Sequence, residues 1–391
     1  MRVSDEQARP TAETFRVRIA DEVLDDLRAR IRQTRWPQPS PAEPWEQGAD
    51  LDYLRDLLEH WADGFDWRAR EAQLNSLHHV TLPIDGVRVH AVWERAKSGS
   101  GIPLVLTHGW PSTFAEMLPL VPLLTDPQAH GIDGPAFDVV IPSLPGYGFS
   151  ERPHRTGVTI REVARMWHAL MRGLGYDRYG AHGTDFGSGV ATMMALHDPE
   201  PLVGVHLSNL DVDPYLGSGT APLFYSELTY RERAEAFWVR ERGYKEIQST
   251  RPQTLAYGLN DSPAGLAAWV VDKWRSWSDN TGEIAIARDD LLTTLTLFWA
   301  TQTMPTSIRD YYDNRWFPPG PGAGERVTVP TGVAVFAHQL ADEGEPPRAW
   351  AQRLYNVTRW TVMPRGGHFA ATEEPDLLAR DIVAFFGDLK T

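Results

Sequence analysis

The chain has 391 residues, of which 42% are hydrophobic, enough for one large domain or two smaller ones. It contains no cysteine, which excludes disulfides, thiolate metal sites and cysteine nucleophiles. A net charge of −14, spread along the chain, argues against nucleic acid or an anionic membrane as a partner. Because no run of about 18 apolar residues occurs and the segment after Met1 lacks the apolar core of a signal peptide, we expect a cytoplasmic protein without a membrane anchor.

The amino-terminal region, residues 1–80, is predicted to be mainly helical. Asp21 opens a segment whose apolar residues Leu24, Leu27 and Ile31 share one helical face. Asp50 can cap a second helix, and a proline-rich loop separates the two. The region carries no obvious chemistry, and we expect it to brace the rest of the chain.

After residue 80 the pattern changes to alternating strands and helices. Asp85-Gly86 predicts a hairpin turn, and buried strands are predicted at residues 103–107, 137–142 and 202–207. A helical pattern covers residues 160–174. Strands that alternate with helices predict an α/β fold with a mostly parallel sheet, which binds ligands at the carboxyl ends of its strands.

Residues 213–315 interrupt this pattern with helices that are rich in aromatic residues. The strand pattern resumes only at residues 332–337, and a last strand is predicted to end near Met363, before a final helix. The interruption predicts a helical cap over the ligand-binding end of the sheet. The chain therefore divides into four regions: 1–80, 81–212, 213–315 and 316–391. Fifteen tryptophans suit an aromatic-lined pocket as well as a core.

The segment Gly183-Thr-Asp-Phe-Gly187 has the form of the strand-turn-helix elbow G-x-S-x-G, with Asp185 in place of serine. Close to the amino terminus of the next helix, an aspartate stays ionised. Its attack on a carbonyl would give a labile anhydride, whereas attack on an sp³ carbon with a leaving oxygen or halide gives an ester that water can cleave. This chemistry favours epoxides and haloalkanes as substrates. The alternative is that Asp185 only caps the helix.

A histidine follows the last predicted strand in a glycine-flanked loop. His368 comes after Gly366 and Gly367, at the place where an α/β-hydrolase has its catalytic base. The chain order of nucleophile, acid and histidine is also the order of that fold. His368 is therefore the candidate base.

With these motifs the chain resembles the microsomal-type epoxide hydrolases, a branch of the α/β-hydrolase superfamily with soluble bacterial and fungal members. The resemblance covers nearly the whole chain, and it implies an α/β-hydrolase fold with a mostly parallel central sheet, a helical cap and an amino-terminal helical extension. It rests on T-R-W-P at 34–37, H-G-W-P at 108–111, G-T-D-F-G-S at 183–188, cap segments at 247–252 and 259–266, and G-G-H-F-A at 366–370.

The resemblance implies a role for each of several residues. Asp185 would be the nucleophile and His368 the base that activates water against the ester. Two cap tyrosines, Tyr244 and Tyr311, would donate to the epoxide oxygen, because an alkoxide is too basic to depart unprotonated. Tyr312 is a close rival to Tyr311. The oxyanion hole would be formed by the backbone N–H groups of Trp110 and Phe186, the latter at a position where the family often has tryptophan.

The charge-relay acid is the clearest departure from the family pattern. The family places Asp or Glu three residues past a strand-ending phenylalanine, and this position, counted from Phe336, is occupied by Gln339. Counting back from the start of the next helix instead points to Asp342, which we favour because an amide cannot stabilise an imidazolium as a carboxylate does. Asp211 is a third candidate, since some relatives with an aspartate nucleophile take their acid from the strand before it.

These residues predict an epoxide hydrolase that converts a bulky hydrophobic or aryl epoxide to a vicinal diol through a covalent aspartyl ester, in xenobiotic or natural-product metabolism. Its partners would be the epoxide and water, with no metal or organic cofactor, and a homodimer is the default assembly. Two alternatives remain open. One is a haloalkane dehalogenase in which the Trp110 indole helps to hold halide, and the other is a weakly catalytic homologue that binds a small molecule, as Gln339 suggests.

Overall fold

A nine-stranded sheet runs through the part of the chain that the computed structural model describes, residues 11–279, 286–338 and 344–389. Its strands are β1 (Glu13–Phe15), β2 (His79–Ile84), β3 (Val87–Glu94), β4 (Ile102–Thr107), β5 (Phe137–Pro142), β6 (Tyr179–Gly183), β7 (Leu202–Leu207), β8 (Pro330–His338) and β9 (Asn356–Gly367). The strand order is β1-β2-β3-β5-β4-β6-β7-β8-β9. The pairs β1–β2, β2–β3 and β3–β5 are antiparallel. The remaining five pairs, from β5–β4 to β8–β9, are parallel, so the predicted mostly parallel sheet is confirmed.

Helices surround this sheet in three groups. Between β1 and β2 come α1 (Asp21–Arg32), α2 (Leu51–Glu59) and α3 (Trp67–Leu74). Within and after the sheet lie α4 (Leu120–Thr125), α5 (Ile160–Gly173), α6 (Phe186–His197) and, beyond the cap, α14 (Arg348–Gln352), α15 (Ala370–Glu373) and α16 (Pro375–Gly387). The cap, between β7 and β8, contains α7 (Tyr225–Glu241), α8 (Gly243–Thr250), α9 (Pro252–Asp261), α10 (Pro263–Trp277), α11 (Arg288–Thr301), α12 (Met304–Ser307) and α13 (Arg309–Trp316).

Several local predictions are confirmed by the elements that form. Helix α1 begins at Asp21 with its three predicted apolar residues buried, and the Asp50 carboxylate accepts the Tyr53 N–H at 2.9 Å as the cap of α2. The turn between β2 and β3 places Asp85 and Gly86 at positive φ. Strand β1 was not predicted, because its three residues gain a strand conformation only by pairing with the edge of the sheet.

The amino-terminal helices pack against the cap. The Trp61 Nε1 donates to the Thr296 Oγ1 of α11 at 2.9 Å in a buried contact, and Arg30 pairs with Asp261 at the end of α9. His60 lies 2.9 Å from Asp289 at the start of α11. The region therefore braces the cap, as the sequence predicted.

Buried polar contacts tie the cap to the sheet and fix its position over the carboxyl ends of the strands. The Trp274 Nε1 of α10 donates to the Pro111 carbonyl in the loop after β4 at 2.9 Å. The Asp313 carboxylate of α13 accepts the N–H groups of Gly157 and Val158 before α5. No helix in the described ranges is both long and apolar enough to cross a membrane.

Candidate active site

The backbone turns sharply at Asp185, between the end of β6 and the start of α6. Asp185 has φ 51° and ψ −129°, a region that L-residues rarely adopt. A Cβ on Gly183 would lie 2.1 Å from the Gly187 carbonyl oxygen, and a Cβ on Gly187 would lie 2.0 Å from the Thr107 carbonyl oxygen. Both positions therefore require glycine, and the turn holds the Asp185 side chain clear of the sheet.

Four residues fix the elbow and its carboxylate. The Asp185 N–H donates to Asn209 Oδ1 at 2.7 Å, and the Ser188 hydroxyl donates to the same oxygen at 2.6 Å. The Trp110 N–H donates to Asp185 Oδ1 at 2.9 Å, and the Phe186 N–H also bonds to this carboxylate. The two N–H groups predicted to form the oxyanion hole thus converge on the side chain predicted to be the nucleophile.

His368 faces the other oxygen of the same carboxylate. Its Nε2 lies 3.3 Å from Asp185 Oδ2, and its backbone N–H donates to the Trp277 carbonyl at 2.8 Å. The imidazole is buried, with its ring 5.1 Å from the Trp277 ring and 5.1 Å from the Phe369 ring. Its Nδ1 is buried and has no hydrogen-bond partner among the described residues.

Burial and the attraction between the two charges shift the pKa values of Asp185 and His368 in opposite directions. Burial alone would raise the pKa of Asp185, but the hydrogen bond and charge of His368, with the two N–H groups, outweigh it and lower that pKa. Burial alone would lower the pKa of His368, but Asp185, followed by Glu116 and Glu373, raises it above the usual value. The free site therefore favours an aspartate–imidazolium ion pair.

The structure describes only one of the three candidates for the charge-relay acid. Asp342 and Gln339 both lie outside the described residues. Asp211 lines the cavity in front of the site, and its Oδ2 lies 2.9 Å from where a Cβ on Gly189 would be. The carboxylates that most raise the pKa of His368 are those of Asp185, Glu116 and Glu373.

The two predicted cap tyrosines meet above Asp185. Tyr244 on α8 and Tyr311 on α13 are each 7% exposed, their ring centroids are 5.7 Å apart, and their side chains are hydrogen-bonded. Trp110 orients both: its ring stacks on Tyr244 at 5.4 Å and meets Tyr311 edge-on at the same distance. Burial, with the neighbouring Tyr244 and Asp185, raises the pKa of Tyr311 well above its usual value, so this phenol stays protonated.

Tyr312, the rival of Tyr311, points away from this group. It packs against Trp316 with ring centroids 6.2 Å apart and does not line the cavity that Tyr311 lines. Adjacent helical residues project about 100° apart, so only one of them can face the site. The structure brings Tyr311 together with Asp185 and leaves Tyr312 outside.

A cavity of about 610 Å³ opens in front of these residues. Its inner wall is made by Asp185, Phe186, Tyr244, Trp277, Tyr311 and His368. Its outer wall carries charged residues of both signs, including Asp213, Lys245, Arg315 and Glu345. This volume lies within the range of sites that enclose small molecules.

Several residues around the site were not predicted from the sequence. Asn209 lies just beyond β7, and its amide oxygen anchors the elbow. The Glu373 carboxylate accepts the N–H groups of Gly367, Phe369 and Asp279, so it holds the histidine loop. The described residues contain no group of three or more His, Asp or Glu side chains able to hold a metal ion.

The sheet order, the cap and the elbow define an α/β-hydrolase whose elbow carries aspartate instead of serine. Residues 12–117 match the model of the epoxide hydrolase N terminus, and residues 102–228 match that of the alpha/beta hydrolase fold. The chain is 36% identical over 419 residues to epoxide hydrolase 1 of Sus scrofa, covering 99% of this chain and 90% of that protein.

Solved structures give the same result. The juvenile hormone epoxide hydrolase of the silkworm Bombyx mori superposes with a TM-score of 0.86 at 27% identity, over 97% of this chain and 95% of that one. The Aspergillus niger epoxide hydrolase superposes with a TM-score of 0.83 at 29% identity, over 97% of both chains. This chain belongs to the epoxide hydrolases, which are hydrolases of the α/β fold.

The mutual pKa shifts lead to a prediction for the Asp185→Asn variant. Removing the carboxylate removes the largest influence that raises the pKa of His368, while the burial that lowers it remains. The pKa of His368 should therefore fall below its wild-type value, which can be measured by following its Cε1–H resonance by NMR as the pH is varied. Glu373→Gln is the matched control and should produce a smaller decrease. An unchanged pKa in Asp185→Asn would contradict the coupling.

Proposed function

We propose that this epoxide hydrolase opens a bulky hydrophobic or aryl epoxide to a vicinal diol through a covalent ester on Asp185. The observation that carries the proposal is the geometry around one carboxylate. Oδ1 is held by the Trp110 N–H at 2.9 Å, Oδ2 faces His368 at 3.3 Å, and two buried tyrosines lie across the cavity. A nucleophile, a base and two proton donors thus surround a space in which a reacting carbon can lie.

In the first step, an Asp185 oxygen attacks one epoxide carbon and the carbon–oxygen bond of the ring breaks. The departing oxygen receives a proton from Tyr311 or Tyr244, which lie together at the cavity wall above Asp185. Because Tyr311 is buried and stays protonated in the free enzyme, its proton is available when the ring opens. The product of this step is a hydroxyalkyl ester of Asp185.

In the second step, water attacks the ester carbonyl and passes a proton to His368. Formation of the ester removes the negative charge that stabilises the imidazolium, so burial then favours neutral His368. His368 is therefore able to accept a proton at ester hydrolysis, the step that requires a base. The N–H groups of Trp110 and Phe186 remain positioned to stabilise the oxyanion of the tetrahedral intermediate.

We propose Asp342 as the acid that orients His368. Strand β8 ends at His338, which pairs with Gly367 directly before His368, so the chain leaves the sheet beside the imidazole. The buried Nδ1 of His368, unpartnered among the described residues, is the atom that such an acid would bind. Both observations support an acid from the segment after residue 338, which favours Asp342 over Asp211.

The substrate class follows from the cavity. Aromatic rings of Phe186, Tyr244, Trp277 and Tyr311 form the inner wall and suit a flat or branched apolar group beside the epoxide. The dehalogenase alternative receives no support, because the Trp110 indole is fully buried behind Tyr244 and does not line the cavity. A cytoplasmic location, a homodimer and a role in xenobiotic or natural-product metabolism stay predictions from the sequence.

The covalent step can be tested by intact mass spectrometry of His368→Gln. Without the base the ester should accumulate, so incubation with a panel of aryl and alkyl epoxides should add the mass of one epoxide. Asp185→Asn is the control and should show no adduct. If neither variant gains mass while wild-type enzyme still forms diol, the ester mechanism is wrong.

The cap tyrosines should affect the first step only. Tyr311→Phe and Tyr244→Phe are each expected to slow ester formation by about 10²-fold, because the alkoxide loses a proton donor. Single-turnover kinetics, followed by quenching and mass analysis, measure this rate. Tyr312→Phe is the matched control on the same helix and should react like wild type. If only Tyr312→Phe slowed ester formation, Tyr312 and not Tyr311 would be the proton donor.

The acid assignment predicts a contrast between two aspartates. Asp342→Asn should slow ester hydrolysis by about 10²-fold or more and leave ester formation largely unchanged, because an amide no longer stabilises the imidazolium. Asp211→Asn should hydrolyse the ester at the wild-type rate. The decay of the adduct after a single turnover gives both rates, and the opposite pattern would identify Asp211 as the acid.

A further inference from the structure

A second cavity lies beside Glu116, Trp274 and Thr372, next to the segment that follows the histidine loop. This rear cavity has a volume of about 290 Å³ and is enclosed by α3, α11, Trp274 and the short 3₁₀ turn Phe114–Met117. It shares no lining residue with the substrate cavity. A water molecule occupies about 30 Å³ in the liquid, so the rear cavity has room for several.

The two ends of the rear cavity differ in exposure. Its outer end is lined by Gln73 and Ser76, which are exposed, and by the ion pair of Arg70 with Asp290 at 3.2 Å. Its inner end is lined by Glu116, which is 3% exposed. The cavity therefore connects the protein surface with one buried carboxyl group.

The carboxyl group of Glu116 forms fewer hydrogen bonds with the surrounding protein than it can accept. The Ser112 side chain forms a hydrogen bond with its carboxyl group, but Oε1 is buried and has no hydrogen-bond partner among the described residues. Buried carboxyl oxygens normally have a partner, and a water in the rear cavity can supply one because Thr293, Thr294 and Thr372 also line it. Thr372, which precedes Glu373 in the helix after the histidine loop, donates to the Glu116 carbonyl at 3.3 Å.

The charges around Glu116 connect it to the reaction. The charge of His368 lowers the pKa of Glu116, and the charges of Asp185 and Glu373 raise it. Glu116 in turn raises the pKa of His368. Burial raises the pKa of Glu116 to about 7, so the carboxyl can both gain and lose a proton near neutral pH. The steps described above leave Glu116 without a role.

We propose that Glu116 is a proton-relay residue for ester hydrolysis and that the rear cavity supplies the water for it. This inference rests on the proposed covalent mechanism. The oxygen of the water bonds to the Asp185 carbonyl carbon, and one of its protons passes through His368 to the departing diol oxygen as the ester bond breaks.

Ester formation leaves His368 as an imidazolium without the Asp185 charge beside it. Glu116 accepts its proton through an intervening water and releases it into the rear cavity, which frees the base, and the tyrosinate left by ring opening takes up one proton. The second water proton passes from the new Asp185 carboxyl group to His368 and restores the ion pair, so the cycle involves no net gain or loss of protons.

The test is single-turnover kinetics on the full chain with an aryl epoxide, following ester formation and ester decay separately by mass. Glu116→Gln keeps the shape but cannot accept a proton, so ester decay should slow by about 10²-fold while ester formation is unchanged. The decay rate of wild type should also depend on pH near 7, and this dependence should be absent in the variant. Equal slowing of both steps, or wild-type decay, overturns the proposal.

Chemical rescue separates a proton-transfer role from a structural one. Glu116→Ala leaves space for a small carboxylate, so added formate should restore ester decay in this variant. Glu116→Gln fills the same space and is the matched control that formate should not rescue. Failure of formate to accelerate decay in a folded Glu116→Ala variant counts against the relay.

A further variant tests whether the rear cavity supplies the water. Ala115 lines the rear cavity, and Ala115→Leu should narrow it and slow ester decay without changing ester formation. If the Glu116 variants do not fold, this variant decides the question alone, and unchanged decay overturns the proposal. Wild type that gives no adduct and no diol with any epoxide would instead contradict the proposed function, whereas a normal wild-type ester with normal decay in every variant would contradict only this inference.

Discussion

The chemistry depends on one backbone turn that only glycine neighbours allow. Asp185 adopts a positive φ because strand β6 passes directly into helix α6, and Gly183 and Gly187 let the two backbones approach within distances that any Cβ would block. Gly109 is under the same constraint, since its Cβ would lie 2.2 Å from the Asp185 Cβ. The strain is offset by the fixed hydrogen bonds that Asn209 makes at the elbow.

The electrostatics of the site follow from placing two ionisable groups in a buried space. Burial disfavours the charged form of both Asp185 and His368, and each stabilises the charged form of the other. Such a pair is sensitive to any reaction that removes one of the charges. In the proposed mechanism ester formation does this, so the contact that stabilises both charges in the free enzyme also prepares His368 to act as the base.

The cap contributes rigid aromatic packing as well as proton donors. Tyr244 and Tyr311 come from different helices, and they meet because both pack on Trp110 in the loop that also supplies an oxyanion N–H. Lys273 lies 4.9 Å above the Tyr244 ring, on its cap side. Trp110 thus aligns the proposed proton donors with the proposed nucleophile, because its ring contacts both tyrosines and its backbone N–H binds the Asp185 carboxylate.

The sequence by itself determined the sheet class and the cap, and it proposed Asp185, His368 and the oxyanion loop as the site, because each depends on a short local pattern of glycines and alternating apolar residues. It favoured Tyr311 but left Tyr312 as a close rival, because the two share a helix turn and differ only in the direction they face. It also gave no indication of Asn209, Glu116 or the rear cavity. These depend on contacts between residues far apart in the chain, and only the tertiary structure decides which buried polar groups lie together.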